Sequence, residues 1–366
     1  MPLKIVAIAQ FPPPIIGFSL ISQRFVEQIR GRHDIEACNI AAAQGSSGPR
    51  KVLSRILRTL AACRALMRSA RAPDRRCYVA CEGNWGLLYT SAVLLAARAL
   101  GYKTYLHHHS FRYIDTPDRL MRAVLRIGGP IHHVFLCNQM HSRFERAYGR
   151  SVVGSVVSNA AFVAPVPPAE GSIAGPTLVL GHLSNLTREK GLHTFLDLLR
   201  ATLAQGLDVR GILAGPIAAA EDRALVERAQ ADLGDRLDYR GSVYGDAKNQ
   251  FYFDTDVFVF PTRYVNEAQP TVLFEALSAG NAVLSHDRGC IASQVADCGL
   301  IVERDGDFIG PVLDWLSAYA ARPDRDAERR RIVTSYAFLH GLARHSAATL
   351  FDNAGGDGGS ASASHA

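Results

Sequence analysis

The chain has 366 residues, of which 48% are hydrophobic, and a formal net charge of +6. This length suits two domains better than one core, and the hydrophobic share is enough to bury both. Seven cysteines, an odd number without a CxxC pair, exclude a regular disulfide framework. They predict reduced thiols, as in a cytosolic protein.

The opening segment, "MPLKIVAIAQFPPP", turns to proline after a short apolar run. This pattern predicts a first strand rather than a signal peptide. No apolar run approaches the length that spans a bilayer. We therefore expect a cytoplasmic protein.

In the first half of the chain, strand-like and helix-like runs alternate. Strands are predicted at "KIVAIAQ", "IEACNI", "CYVACEG", "KTYLHHH", "HVFLCN" and "SVVSNA". Helices are predicted between them at "LISQRFVEQIRG", 50–72, "GLLYTSAVLLAARALG", 117–127 and 139–148. This order predicts a parallel sheet covered by helices over residues 1–163.

A proline- and glycine-rich segment at 164–176 predicts a linker, and the alternation repeats over 177–322. We therefore expect an α/β protein of two doubly wound, Rossmann-like domains that face each other across a cleft. A last helix within 323–352 is long enough to cross back to the first domain. The low-complexity residues 353–366 are expected to be disordered.

Positive charge is concentrated in one stretch of the first half. Residues 48–77 hold nine Lys and Arg against one Asp, a local charge of +8. On a helical wheel the large apolar residues gather on one side and most arginines spread over the other. A basic amphipathic helix predicts contact with an anionic membrane surface, through Arg55, Arg58 and Arg68. The alternative is a solvated outer face over an ordinary core stripe. Nucleic acid is not expected, because no aromatic residue interleaves the arginines.

The stretch "NEAQPTVLFEALSAGNAV" holds two glutamates eight positions apart. Pro270 suits a first helical turn, and Gly280 suits a left-handed C-terminus. Together they predict a helix from Pro270 to Ala279.

The first free N–H groups of this helix belong to Thr271, Val272 and Leu273. They lie between Glu267 and Glu275 and would form an anion site. Two carboxylates that flank an anion site suit a ligand with hydroxyls at both ends and phosphate in the middle. A nucleotide-sugar has that layout. The alternative is a surface helix with solvated glutamates.

In their order along the chain these motifs resemble the retaining glycosyltransferases of family 4, which have the two-domain GT-B fold. The resemblance covers about residues 3–350. Its strongest element is Glu267-x7-Glu275, between the strand "VFVFPT" and a helix that ends in "ALSAGNAVL". The supporting elements are "PPPIIGFS", "LHHHS", "VVSNA" and "LGHLSNLTREKGL".

The resemblance implies a donor site in the second domain. Glu275 would bind the ribose hydroxyls of the nucleotide, and Glu267 would contact the donor sugar near the leaving group. Lys190, in "EKG", would neutralise the departing diphosphate, and such preorganised charge should be the largest catalytic contribution. The distal phosphate would be held by the amides of Gln269, Thr271 and Val272.

The sequence departs from the family at one point of the diphosphate site. The family usually has an arginine in a "GRL" triplet, whereas this chain has His182 there. Either Arg188 or Asn185, from the loop that follows, takes the place of that arginine, or the diphosphate has one cationic contact fewer.

Three histidines end a predicted strand, so that His107 and His109 share one face and His108 takes the other. In the family a histidine before a small residue at this point contacts the donor sugar. This implies His109, with His108 as the second candidate and as a candidate on the acceptor side. Adjacent strand histidines cannot converge well on a metal ion, and the family resembled is metal-independent. We therefore expect no metal and no cofactor.

Two loops of the first domain complete the expected site. Gly17 lets the backbone approach a ligand closely, and in the family its loop, with Phe18, lies near the acceptor and the leaving phosphate. Glu82, in "EGNW" after another strand, is an acceptor-side candidate.

The sequence thus predicts a retaining glycosyltransferase that moves a sugar from a nucleotide-diphosphate donor to a hydroxyl acceptor. The basic helix favours a lipid-linked saccharide acceptor, used in surface or exopolysaccharide synthesis, and peripheral attachment to the inner face of the cytoplasmic membrane. One alternative is a nucleotide-sugar epimerase of the same fold. Another is a non-catalytic membrane-associated binding module. A dehydrogenase is disfavoured, because no GxGxxG follows the first strand.

Overall fold

The computed structural model of the chain describes residues 2–13, 16–166, 175 and 177–352. Within these residues each half of the chain forms a parallel six-stranded sheet. The elements of the first half are β1 Lys4–Ala9, α1 Gly17–Arg30, β2 Asp34–Asn39, α2 Gly48–Arg68, β3 Arg76–Cys81, α3 Gly86–Ala99, β4 Lys103–His108, α4 Arg112–Asp115, α5 Arg119–Ile127, β5 Ile131–Phe135, α6 Asn138–Tyr148 and β6 Gly154–Val156.

The second half repeats this alternation of strand and helix. Its elements are β7 Leu178–Leu183, α7 Leu192–Ala204, β8 Val209–Ala214, α8 Ala220–Leu233, β9 Leu237–Tyr239, α9 Gly245–Phe253, β10 Val257–Phe260, α10 Thr271–Ser278, β11 Ala282–His286, α11 Ile291–Val295, β12 Gly299–Val302, α12 Ile309–Ala320 and α13 Arg325–Thr349.

The strand order is β2-β1-β3-β4-β5-β6 in the first sheet and β12-β11-β10-β7-β8-β9 in the second. Helices cover both faces of each sheet, so the central strands β3 and β10 are buried along their whole length. Each order reverses once, between β1 and β3 and between β7 and β10. The predicted fold class, two doubly wound α/β domains, is confirmed.

The last helix, α13, contacts both halves of the chain. The Tyr336 hydroxyl donates to the Val163 carbonyl at the end of the first domain. Arg329 is buried and donates from Nε to the Ala279 carbonyl, 3.0 Å away in the second domain. The helix therefore packs across the join between the domains. Most of the predicted linker, and the tail at 353–366, lie outside the described residues.

A disulfide joins Cys137, at the start of α6, to Cys290, which precedes α11. Its Cα atoms are 6.2 Å apart, although 153 positions separate the residues in sequence. The prediction that all seven thiols are reduced is therefore wrong. Spacing along the chain could not show this pair, because each cysteine lies in a different domain and only the packing of the domains brings them together.

The helix predicted from Pro270 to Ala279 forms with slightly different ends. It begins at Thr271, because Pro270 has the extended ψ of 127° and occupies the N-cap. It is followed by Gly280 with a φ of +84°, the left-handed conformation that the sequence suggested.

Gly280 allows a direct stability test. A Cβ atom at this position would lie 2.8 Å from the Arg329 carbonyl oxygen and closer still to the Arg329 side chain. Gly206 has a similar φ of +80°, but a Cβ there would meet nothing within 4 Å. Gly206→Ala should cost about 1 kcal/mol of unfolding free energy, from backbone strain alone. Gly280→Ala should cost about 1–3 kcal/mol more, from overpacking against α13.

Chemical denaturation of both variants measures this difference. Equal losses of stability would mean that α13 does not pack on the end of α10 as described.

Candidate active site

The candidate active site lies where the order of the second sheet reverses, between β7 and β10. In a doubly wound sheet the loops at this point diverge and leave a crevice at the carboxyl ends of the strands. The loop after β7 carries Lys190, and the loop after β10 carries Glu267. Their side chains meet, with Lys190 Nζ 2.6 Å from Glu267 Oε2.

Other groups hold this ion pair in place. The Thr262 hydroxyl donates to the same Glu267 oxygen over 3.2 Å. The Lys190 ammonium lies 4.3 Å from the centre of the Tyr264 ring, a favourable cation–π distance. Glu267 is buried, while the Lys190 side chain is 23% exposed. An anion that enters from solvent can therefore reach the cation of the pair.

Glu275, on α10, is held by two residues of α9. Lys248 Nζ is 2.6 Å from its Oε1, and the Tyr252 hydroxyl donates to its Oε2 over 2.9 Å. Burial raises the pKa of Tyr252 well above its usual range and the Glu275 charge raises it further, so the phenol stays protonated. Sequence reasoning missed both partners, since a lysine in a short helix carries no signal of what it contacts.

A cavity of about 770 Å³ opens beside Glu275 and Lys248. Residues of α1 and α13 complete its wall, among them Arg24, His340 and Arg344. Its volume is within the range of ligand pockets in proteins. Glu275 thus lies at the edge of a space that could hold a small molecule.

The side chain of Gln269 bridges the two domains. Its Oε1 accepts the Asn159 backbone N–H over 2.7 Å, and its Nε2 donates to the Leu136 carbonyl over 3.1 Å. Asn159 Nδ2 also donates to the Gln269 carbonyl over 2.9 Å. The side chain is thus fully occupied by the first domain, which fixes the loop that carries Glu267.

The first turn of α10 offers fewer free amides than the sequence suggested. The Leu273 N–H donates to the Pro270 carbonyl over 3.3 Å, so the inclusion of Leu273 in the anion site was wrong. The N–H groups of Thr271 and Val272 have no hydrogen bond to a described residue. The Gln269 N–H likewise donates to no described residue, so all three amides remain the predicted phosphate ligands.

Neither candidate for the missing arginine is fixed by the fold. Arg188 and Asn185 are both exposed, and their side chains make no hydrogen bond to the described residues. His182, at the family's arginine position, is buried between the Val259 carbonyl and the Ser184 hydroxyl. Burial lowers the pKa of His182 to about 4, so it is neutral near pH 7 and supplies no charge there.

His108 does not face the cleft, so its assignment to the acceptor side was wrong. Its Nδ1 lies 2.8 Å from the Tyr113 hydroxyl and its Nε2 lies 2.9 Å from His133 Nδ1. The ring is fully buried and stacked on Phe135. The alternation of side chains along β4 turns it into the core of the first domain.

His109 follows β4 directly and lies against the start of α1. Its ring centre is 5.0 Å from that of Phe18 and 4.1 Å from that of His107. Burial lowers the pKa of His109 to about 3, so the ring is neutral, and its Nε2 has no partner among the described residues. Gly17, next to Phe18, is exposed, and a Cβ there would meet nothing within 4 Å. The structure therefore brings His109 together with Phe18 and Gly17.

Glu82 is not available to an acceptor as predicted. Its Oε1 is 2.5 Å from Arg55 Nη2, and both side chains are nearly buried. Arg55 also lies over the Tyr89 ring, 4.2 Å from its centre. This ion pair braces α2 against the loop after β3.

The orientation of α2 contradicts the alternative interpretation, a solvated outer face over an ordinary core stripe. Its buried residues are mostly small, namely Thr59, Ala62, Ala65 and Leu66, and its large apolar residues are exposed: Val52, Leu53, Ile56, Leu57, Leu60 and Met67. Of the predicted membrane ligands, Arg55 is paired with Glu82 and Arg58 donates to the Ala41 carbonyl over 2.9 Å, so these two do not face solvent freely. Arg68 is exposed and pairs with Glu36. No described helix is long and apolar enough to cross a membrane.

Comparison with known protein families gives a match within the second domain. Residues 177–317 match the family model described as glycosyl transferases group 1. This range contains the Lys190–Glu267 pair and Glu275. No curated protein matches the chain in sequence.

Several solved structures share the whole fold. HepE from Anabaena, crystallised with UDP and glucose, has a TM-score of 0.67 at 15% identity, over 96% of this chain and 100% of its own. Sucrose-phosphate synthase from Thermosynechococcus elongatus has a TM-score of 0.65 at 15% identity, over 94% and 98%. The lipopolysaccharide outer core galactosyltransferase WaaB has 0.64 at 16% identity, over 94% and 99%. The chain therefore has the two-domain GT-B fold, and its second domain matches the glycosyl transferases group 1 family.

Proposed function

We propose that the protein transfers a sugar from a nucleotide-diphosphate donor to a hydroxyl acceptor, with retention at the anomeric carbon. The observation that carries this proposal is the Lys190–Glu267 ion pair at the switch point of the second sheet, within the range that matches the family model. The crystal structure of HepE with UDP and glucose supports a UDP-sugar as the first donor to test.

In this proposal Lys190 exchanges partners when the donor binds. Its ammonium turns from Glu267 to the diphosphate, and the freed carboxylate accepts hydroxyls of the donor sugar. Negative charge on the diphosphate grows as the glycosidic bond breaks, so the lysine stabilises the transition state more than the bound substrate. The amides of Thr271 and Val272 hold the distal phosphate.

Glu275 binds the ribose, and the adjoining cavity takes the nucleoside. Lys248 and Tyr252 each occupy one lone pair of the carboxylate and fix its orientation. A carboxylate has about four acceptor positions, so both oxygens keep capacity for ribose hydroxyls.

Transfer then proceeds on one face of the sugar. The leaving phosphate departs, takes the proton of the acceptor hydroxyl, and the acceptor oxygen bonds to the anomeric carbon from the same side. His109 is neutral and has a free Nε2, which suits a hydrogen bond to the donor sugar rather than proton transfer.

The acceptor is proposed to be lipid-linked and reached at an anionic membrane surface. The observation in favour is the exposed apolar face of α2, flanked by the exposed cations Lys51, Arg64, Arg68 and Arg71. A helix with this face lies in the interface with its apolar residues among the lipid chains. The apolar face, rather than the arginines predicted from sequence, makes the main contact.

The first prediction concerns nucleotide binding. Glu275→Ala should weaken UDP binding about 10- to 100-fold, because hydrogen bonds to a charged group are worth about 1.5–3 kcal/mol. Titration calorimetry measures the dissociation constant of UDP. The matched control is Glu221→Ala, which replaces an exposed glutamate of α8. Unchanged affinity in the Glu275 variant would place the nucleotide elsewhere. A thermal-shift panel with GDP and ADP identifies the base.

The second prediction concerns turnover. Lys190→Gln keeps a donor for Glu267 but removes the charge, so kcat should fall about 100-fold while donor affinity changes much less. Lys103→Gln, which replaces an exposed lysine of the first domain, is the control.

Cleavage of the donor should also require an acceptor and should continue in the presence of EDTA. Nucleotide release without any acceptor would favour the epimerase, and a loss of activity restored by a divalent ion would contradict a metal-free reaction.

The third prediction concerns the membrane. Replacing Leu53, Ile56 and Leu57 together by serine should lower sedimentation with phosphatidylglycerol vesicles at least about 100-fold, since each buried side chain is worth about 1.5–3 kcal/mol. Leu95→Ser, an equally exposed leucine of α3, should have no effect. Salt should release the wild type, because each cation contributes about 1 kcal/mol at an anionic surface. Equal sedimentation of the triple variant and the wild type would make α2 an ordinary surface helix.

A further inference from the structure

Three neighbouring strands of the second sheet are each followed by an arginine at the same height. Phe260 of β10 pairs with Ser285 of β11, which pairs in turn with Ile301 of β12. An arginine follows each of these three paired residues, three positions further along the chain. We call these three arginines the arginine row: Arg263, Arg288 and Arg304. Because the strands are parallel, the row lies along the carboxyl edge that borders the cleft.

The central member of the row is buried without a partner. Arg288 is 8% exposed, its Nε is buried without a hydrogen bond, and its Nη1 and Nη2 bond to no described residue. Burial and the neighbouring charge of Arg304 lower the pKa of this guanidinium. Buried charges in proteins are almost always paired. An arginine held in this way fits a site that an anion completes.

Carboxylates near the row do not neutralise it. Arg304 Nη2 is 2.5 Å from Asp115 Oδ2 in the first domain, and the other oxygen of Asp115 is 2.6 Å from Arg143. Asp305 is the second carboxylate whose charge acts on Arg288. No carboxylate of the described residues forms an ion pair with Arg263 or Arg288, so these two members of the row keep their side-chain donors for a ligand.

The row begins beside the proposed diphosphate site and runs away from the nucleoside end. The Arg263 N–H donates to the Glu189 carbonyl over 2.8 Å, next to Lys190. A Cβ on Gly289, the neighbour of Arg288, would lie 2.6 Å from the Glu267 carbonyl oxygen. From there the row extends over β11 and β12, whereas the residues that hold Glu275 belong to α9, which follows the opposite edge strand, β9.

A group bound by the row therefore lies beyond the bond between sugar and diphosphate. We propose that the arginine row binds a phosphate or carboxylate group of the acceptor, which makes the acceptor an anionic compound. The planar guanidinium groups suit the bidentate recognition of such a group. This inference rests on the proposed function, since it takes the diphosphate to lie at Lys190.

The test uses the whole protein saturated with UDP, so that the diphosphate site is occupied. Titration calorimetry compares glucose 6-phosphate with glucose as probes of the row. Glucose 6-phosphate should bind at least about tenfold more tightly than glucose. Arg288→Gln and Arg263→Gln should each weaken it about tenfold or more, as expected for the loss of a hydrogen bond to a charged group. Arg228→Gln, an exposed arginine of α8, is the matched control and should bind as the wild type does.

Three outcomes would overturn the proposal. Equal binding of the two sugars is the first, and an equal effect of the row variants and the control is the second. The third arm compares UDP-glucuronate with UDP-glucose: a selective loss of UDP-glucuronate affinity in Arg288→Gln, with glucose 6-phosphate unaffected, would assign the anion to the donor sugar. Failure of UDP itself to bind the wild type would refute the proposed function instead.

Discussion

One buried side chain, that of Gln269, joins the two domains at the cleft. Gln269 uses both ends of its amide to bond to the first domain, at the Asn159 N–H and the Leu136 carbonyl. Both groups are buried, so loss of the amide would leave two backbone groups without partners, at about 1–3 kcal/mol each. Glu267 stands two residues before Gln269. The contact that joins the domains therefore also positions the carboxylate that meets Lys190.

Charges in the cleft are arranged in two ways. Lys190 with Glu267, and Lys248 with Glu275, are paired at 2.6 Å, so each of these side chains has a fixed direction before a ligand arrives. Arg288, in contrast, is buried and unpaired within the described structure. In the proposals made above, the paired groups exchange a partner for a ligand, and the unpaired one gains a first partner on binding. Both arrangements favour negative or hydroxylated ligands over apolar ones.

Sequence reasoning reached the fold because the alternation of strands and helices is a local pattern that repeats in both halves. It also placed Lys190, Glu267 and Glu275 near strand ends and the turn at Pro270, which are local signals, while their roles stay predictions. The remaining features depend on which surfaces meet. The face of α2 that is buried could not be predicted, because its buried residues are mostly small, with Leu66 as the one large apolar side chain among them. The core position of His108 was missed because alternation gives two faces without telling which one borders the cleft.

The disulfide between Cys137 and Cys290 changes how the domains can move relative to each other. The chain passes between the domains at the linker and α13 packs across the join, and the disulfide adds a covalent tie beside Gln269, since the Cys290 N–H donates to the Ala268 carbonyl. A body attached to another at separate points loses most of its rotational freedom. In an oxidising medium the cleft can then widen only by local deformation. In a reducing medium this covalent tie is lost, and rotation of the domains is then opposed by the linker and by the noncovalent contacts at Gln269 and α13.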